Sequence, residues 1–128
     1  MNPSTKLTWL KRVLLVKVAA CLFFWGLPAL LGSASFLKTF GVTIPADPII
    51  LRSFGAVTTA LALLYGFAYR DPVGNRDIIK YAVFDNGLAT LTVLLIAFTT
   101  GLTSWFYVVS GVLTALFTVA FWVLMPKK

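Results

Sequence analysis

Four apolar runs, each of roughly 20 residues, constrain this sequence more than any other feature. They lie at about 13–31, 48–69, 78–99 and 104–125. A helix needs about 20 apolar residues to cross the hydrocarbon core of a bilayer, where every backbone polar group must be paired within the protein. The sequence therefore predicts an all-α integral membrane protein, with four transmembrane helices in a bundle that forms a single domain over residues 1–128.

The composition agrees with a membrane environment. Hydrophobic residues make up 59% of the chain and charged residues 12%, whereas a soluble domain of this size needs more charge to cover its surface. The net charge of +7 would suggest nucleic-acid binding in a soluble protein. Here the basic residues sit at the margins of the apolar runs, which is typical of membrane orientation. We therefore expect a lipid bilayer as the surroundings and no nucleic acid as a partner.

The first run admits a second interpretation. A basic start, an apolar stretch and the small residues Gly32-Ser33-Ala34 together resemble a secretory signal peptide with its cleavage region. The run is longer than the apolar core of a typical signal peptide, so we expect a retained helix. After it, residues 33–40 are too few to cross a bilayer and mix aromatic with polar side chains. They predict a short interfacial helix between the first and second transmembrane helices.

Basic residues are divided unequally between the two predicted surfaces. Nine fall with the N-terminus, the loop at 70–77 and the C-terminus, and two, Lys38 and Arg52, fall on the other side. This excess predicts a multi-pass protein of the bacterial inner membrane with both termini in the cytoplasm. Arg70, Arg76 and Lys80 form a predicted cytoplasmic basic cluster, which would attract anionic lipid or an acidic partner, or act in topology alone.

Small residues recur at helical spacing on the second and fourth predicted helices. In lipid, close backbone approach through such residues supplies much of the attraction between helices. We expect these positions to face the bundle interior or another chain, and simple packing is the favoured interpretation because such stripes are common in membrane helices. The positions are Gly55, Thr59, Ala62, Gly66, Gly111 and Ala115.

The set of chemically active side chains is small. The sequence has no histidine, no glutamate, four aspartates and the single cysteine Cys21, which lies inside an apolar run. Histidine-ligated haem, a histidine-containing zinc or copper site and a histidine general base are therefore excluded within this sequence. We expect no enzymatic activity, no metal site and no cofactor, while the binding of a pigment or a specific lipid stays open.

Asp85 is the aspartate without an evident role as a helix cap or turn residue. Asp85 and Lys17 each lie five positions beyond a basic residue at the inner boundary, so both should lie about 7.5 Å inside it at 1.5 Å per residue. Isolated charges in lipid are costly, so we expect these two side chains to point inward and pair. Asn86 and Tyr81 are the expected neighbouring hydrogen-bond groups.

Two interpretations of this pair stay open. It is either a structural ion pair between the first and third helices, or the site of a small proton- or ion-coupled transporter that uses Asp85 and Lys17. The structural interpretation is favoured because the predicted depth is shallow and a lone carboxylate lacks a relay of similar groups. Arg52, one turn inside the outer end of the second helix, is expected to extend outward and meet Asp47.

Two short motifs carry a family resemblance. The Leu51-Arg52-Ser53-Phe54-Gly55-Ala56 opening of the second helix and the Tyr69-Arg70-Asp71-Pro72 exit resemble small bacterial four-helix membrane proteins of the DoxX-like type and related uncharacterised families. The resemblance covers about the middle half of the chain. It implies a four-helix fold and, as in some members, association with oxidoreductase complexes. The function we expect is that of a non-enzymatic accessory or structural subunit, within a larger membrane complex or a homo-oligomer.

Overall fold

The described residues form four long helices and one short helix. The computed structural model describes residues 2–102 and 104–126, and within these ranges it contains no strand. The long helices are Pro3–Leu31, Ile49–Arg70, Arg76–Thr99 and Trp105–Leu124, and the short helix is Ala34–Thr39. Each long helix is long and apolar enough to cross a membrane. The all-α class and the four candidate transmembrane helices are thus confirmed.

The first helix begins well before its apolar run. Pro3 is its first residue, and the Asn2 side chain accepts a hydrogen bond from the Ser4 backbone N–H at 3.4 Å. The helix is α over Pro3–Ala19, π over Ala20–Gly26 and α again over Leu27–Leu31. Proline has no N–H to donate and its ring crowds the carbonyl four residues back, so a wider π turn just before Pro28 accommodates it without breaking the helix.

Glycines allow the first and second helices to approach closely. A Cβ added at Gly55 would lie 2.8 Å from the Gly26 carbonyl oxygen and 2.8 Å from the Ala29 carbonyl carbon. A Cβ added at Gly26 would lie 2.5 Å from the Thr59 hydroxyl oxygen. Gly55 and Thr59 therefore pack inside the bundle, against Gly26 of the first helix. The spacing of small residues on the second helix did not predict this contact with Gly26.

Arg52 binds the end of the first helix rather than Asp47. Its guanidinium donates one hydrogen bond to the Ala29 carbonyl and one to the Gly32 carbonyl, both at 3.0 Å. The last carbonyls of a helix have no intrahelical partner, and the forked donors of arginine suit two of them at once. Asp47 instead accepts from the Ile49 N–H at 3.0 Å, at the start of the second helix. The expected contact between Arg52 and Asp47 is therefore wrong.

The third and fourth helices form the other close pair. A Cβ added at Gly111 would lie 2.7 Å from Cγ1 of Val93, so the glycine accommodates this side chain. The hydroxyls of Thr90 and Thr114 are hydrogen-bonded across the same interface at 2.9 Å. Gly111 thus faces the bundle interior, which is one of the two positions expected for it. Ala115, on the following turn, is half-buried.

The short helix is attached to the start of the fourth helix. Leu37 of the short helix is buried, and the Ser104 hydroxyl donates a hydrogen bond to the Phe40 carbonyl. Gly41 has φ +69°, a backbone conformation that suits glycine, and Ser104 occupies the space where a Cβ would lie. Residues 34–42 therefore cover one end of the bundle, where the first and fourth helices meet them.

Candidate functional site

Lys17 is the centre of a polar cluster inside the bundle. It is only 4% exposed, and its amine Nζ donates a hydrogen bond to Oδ1 of Asn86 at 2.7 Å. The same amine lies 4.0 Å from Oδ2 of Asp85. The structure therefore brings together the three side chains that the sequence placed at one depth. We call these three side chains, together with Tyr65, which is hydrogen-bonded to Asp85, the polar cluster.

Three aromatic rings surround the Lys17 amine. Nζ lies 5.0 Å from the ring centre of Trp25, 5.3 Å from that of Tyr65 and 5.1 Å from that of Phe117. The faces of aromatic rings attract cations, and the attraction grows when water is excluded. These rings come from the first, second and fourth helices. Asp85 and Asn86 lie on the third helix, so all four long helices contribute a side chain around the Lys17 amine.

Tyr65 takes the role that the sequence analysis gave to Tyr81. The Tyr65 hydroxyl donates to Oδ2 of Asp85 at 2.8 Å, and Tyr65 is fully buried. Tyr81 is 51% exposed and makes no hydrogen bond among the described residues. The reason is geometric: Tyr65 lies three residues after buried Ala62 on the inward face of the second helix, whereas the third helix turns Tyr81 outward. This spacing was the signal that could have identified Tyr65.

Asn86 links the polar cluster to the backbone and to the fourth helix. Its side-chain amide donates to the Ala82 backbone carbonyl at 2.6 Å, and the backbone carbonyl of Asn86 accepts from the Thr90 hydroxyl at 2.8 Å. The Thr90 hydroxyl in turn meets Thr114. Across the described residues, every buried side-chain nitrogen or oxygen has a hydrogen-bond partner. A network that is satisfied in this way fixes one arrangement of the helices.

Cys21 and Asp85 mark two edges of the polar cluster. The Cys21 thiol lies against the Lys17 amine, one turn along the first helix, and is buried. The Asp85 side chain is 26% exposed, so it is less enclosed than that of Lys17. In the parts of the chain that the structure describes, no three histidine, cysteine, aspartate or glutamate side chains group as metal ligands do. The interactions observed within the polar cluster are charge pairing and hydrogen bonding.

Two residues of the predicted basic cluster, Arg76 and Lys80, bind different partners. Arg76 donates from Nε to the Pro126 carbonyl at 2.7 Å, which ties the start of the third helix to the end of the fourth. Lys80 pairs with Asp77 one turn earlier, at 2.6 Å between Nζ and Oδ1. Arg70 is exposed at the end of the second helix. The three residues therefore share one end of the bundle, where Arg76 also joins the third helix to the end of the fourth.

The remaining predicted packing residues, Ala62 and Gly66, lie one turn apart on the second helix. Ala62 is buried in the core. Gly66 is next to open space, since a Cβ added there would meet no atom within 4 Å. Gly66 therefore does not contribute to packing between helices of this chain, which leaves another chain or lipid as its neighbour.

Replacing Tyr65 with phenylalanine should lower the free energy of unfolding by about 1.5–3 kcal/mol, the value of a hydrogen bond to a charged group. The ring and its stacking on Phe121 would stay, so the loss reports on the bond to Asp85 alone. Unfolding by sodium dodecyl sulfate in mixed micelles measures the change. Tyr81→Phe is the matched control and should leave stability unaltered. Equal stability of the two variants would contradict a structural role for the Tyr65 hydroxyl.

Comparisons with protein-family models, with curated proteins and with solved structures gave no match. The resemblance to DoxX-like proteins therefore stays a prediction from the two motifs of the second helix.

Proposed function

We propose that this chain is a non-enzymatic, multi-pass protein of the bacterial inner membrane, which serves as an accessory or structural subunit in a larger membrane complex or a homo-oligomer. The observation that supports this proposal is a groove on the outside of the bundle. It has a volume of about 470 Å³, and residues of the first and second helices line it. The lining includes Val18, Leu22, Ala62, Leu63, Gly66 and Phe67.

Gly66 makes this groove suitable for another helix. Glycine inside a helix costs about 1 kcal/mol relative to alanine, and no helix of this chain uses the space that Gly66 provides. Small residues let two membrane helices approach closely, and Gly66 provides such a position in the wall of the groove. A helix from another chain would gain contacts along the groove that lipid tails, which are mobile, fill less well.

Charge supports the proposed orientation. Arg70, Arg76 and Lys80 lie at the end of the bundle where the fourth helix ends, and Lys6 and Lys11 lie at the start of the first helix. Because cytoplasmic surfaces of membrane proteins carry an excess of lysine and arginine, this end belongs in the cytoplasm. The short helix then lies at the outer surface, beside the ends of the first and second helices.

The alternative, a proton- or ion-coupled transporter that uses Asp85 and Lys17, is the less favoured hypothesis. The two side chains do meet, but Lys17 is buried and hydrogen-bonded to Asn86, and Asp85 is bound by Tyr65. Proton relays in transporters use chains of several ionisable groups, whereas Asp85 is the one carboxylate at this level of the described residues. The arrangement is better suited to holding the four helices together.

Substituting Gly66 with leucine should reduce association between chains by tenfold or more while the fold of each chain stays intact. The added side chain fills the groove, and inside the chain it meets no atom at its Cβ. Energy transfer between donor- and acceptor-labelled copies in lipid vesicles measures self-association, and the stoichiometry of a cross-linked complex measures binding to a different subunit.

Ala60→Leu is the matched control, because Ala60 is exposed on the same helix outside the groove. It should leave association unchanged. A wild-type chain that is monomeric in vesicles and forms no stoichiometric complex would overturn the proposal, as would equal association of the Gly66 and Ala60 variants.

A further inference from the structure

A cavity lies among the four long helices, beside the short helix. Its volume is about 370 Å³, and nearly all of its wall is apolar. Every long helix contributes to the wall, and the short helix and its following residues close one end through Leu37, Phe40 and Val42. The wall includes Trp25, Phe54, Ala89, Thr92 and Ser110.

The size of this cavity is that of a ligand site. An apolar cavity of about 150 Å³ is enough to bind benzene, and small-molecule sites span about 300–1,000 Å³. Such sites combine apolar and aromatic walls with a few polar groups that fix orientation, and they occur between helices of bundles. A void of this volume inside a membrane protein would lose many dispersion contacts if it stayed empty.

Ser110 supplies one polar group in the wall, already held in position. Its hydroxyl oxygen accepts a hydrogen bond from Nε1 of Trp25 at 2.9 Å. Its hydroxyl proton goes to no acceptor among the described residues. The indole of Trp25 thus orients a hydroxyl that retains one donor. A ligand with an acceptor oxygen would match that donor, whereas a pure hydrocarbon would leave it unused.

The cavity reaches the surface between the second and third helices. Phe54 on the second helix is 50% exposed and Thr92 on the third is also exposed, yet both line the cavity. These two helices contact each other less than the other neighbouring helices do, and their direct side-chain hydrogen bond, from Tyr65 to Asp85, is at the polar cluster. The opening therefore faces the lipid phase rather than water.

We propose that this cavity binds an apolar molecule that carries a carbonyl or ether oxygen, which enters laterally from the membrane and accepts a hydrogen bond from Ser110. The apolar body lies against Trp25 and Phe54, and the oxygen lies at Ser110. Two sources share this chemistry: the ester end of a lipid acyl chain, and a free hydrophobic ketone, ester or ether dissolved in the bilayer. The site is separate from the groove at Gly66 and does not depend on the subunit function.

Benzophenone tests the proposal directly, because it is an apolar ketone that also inserts into nearby C–H bonds under near-ultraviolet light. The purified full chain in detergent should be labelled in a saturable manner, with adducts on the peptides that line the cavity. Labelled positions are mapped by fragmentation mass spectrometry. Uniform labelling of lipid-facing peptides, without saturation, would overturn the proposal.

Two variants separate the cavity from the rest of the bundle surface. Ala89→Leu adds bulk inside the cavity and should abolish saturable labelling, whereas Ala56→Leu adds the same bulk on an exposed face and should not. Ser110→Ala should weaken binding about fivefold through loss of one hydrogen bond, and Ser110→Thr should restore it. Labelling that is unchanged in both Ala89→Leu and Ser110→Ala would contradict the proposal, since neither cavity nor hydroxyl would then matter.

Native mass spectrometry distinguishes the two sources. If the occupant is a lipid chain, the wild-type protein retains about one lipid that benzophenone displaces, and Ala89→Leu retains none. If it is a free hydrophobic compound, delipidated wild-type protein binds benzophenone without displacing lipid. A retained lipid that benzophenone leaves in place, together with labelling elsewhere, would overturn the assignment of the cavity as the site.

Discussion

Lys17→Met should lower the free energy of unfolding by about 3 kcal/mol, because it removes a charged hydrogen bond to Asn86 and an ion pair in which one member is buried. The variant would leave the Asp85 carboxylate without its nearest cation, and Oδ1 of Asn86 without its donor. Methionine can still fill much of the space between the rings of Trp25, Tyr65 and Phe117, so a cavity would contribute little. Unfolding by sodium dodecyl sulfate in mixed micelles measures the loss.

A second substitution separates charge from packing. Lys17→Met combined with Asp85→Asn should recover part of the lost stability, because neither charge is then left unpaired. Lys38→Met is the control for loss of a lysine at an exposed position. If Lys17→Met were as stable as Lys38→Met, the polar cluster would not hold the helices together. If wild-type vesicles conducted protons and the double variant did not, the transporter hypothesis would replace the structural one.

Gly55→Ala should lower the free energy of unfolding by about 3 kcal/mol. The new methyl group would meet the Leu30 backbone nitrogen, and it would lie 2.8 Å from both the Gly26 oxygen and the Ala29 carbonyl carbon. All three are backbone atoms, which cannot move aside as a flexible side chain can, so the first and second helices must separate. The same unfolding assay measures the change, and hydrogen exchange of the first helix locates it.

Gly66→Ala is the matched control on the same helix. A Cβ at Gly66 meets nothing within 4 Å, so the isolated chain should be as stable as before, or more stable by up to about 1 kcal/mol through the higher helix propensity of alanine. Two identical substitutions eleven residues apart would then have opposite signs. Equal effects at the two positions would show that close backbone contact at Gly55 does not matter.

The sequence predicted the helices well because length and hydropathy act locally. Each apolar run had to become a helix for its backbone groups to be paired in lipid, and the bounds of the last three helices differ from the predicted ones by no more than two residues. The first helix starts about ten residues earlier than its apolar run. There Asn2 and Pro3 provide a cap and a first turn that do not depend on hydropathy.

Parts of the polar cluster were also predictable from the sequence. Charges in an apolar run have few ways to be stabilised, so equal depth of Lys17 and Asp85 was enough to predict that they meet. The choice of Tyr65 over Tyr81 was not predictable from depth. The spacing from Ala62 indicated the inward face for Tyr65, whereas the outward position of Tyr81 depends on how the third helix packs against its neighbours.

By itself, the sequence determined that the chain forms four apolar helices with a shared level of polar residues. The tertiary structure decided that Gly55 contacts another helix while Gly66 does not, that Arg52 binds the end of the first helix, and that a cavity remains beside Ser110. The physical reason is that hydropathy and helical spacing are properties of one segment, whereas close contact and empty space arise only from the way separate helices pack.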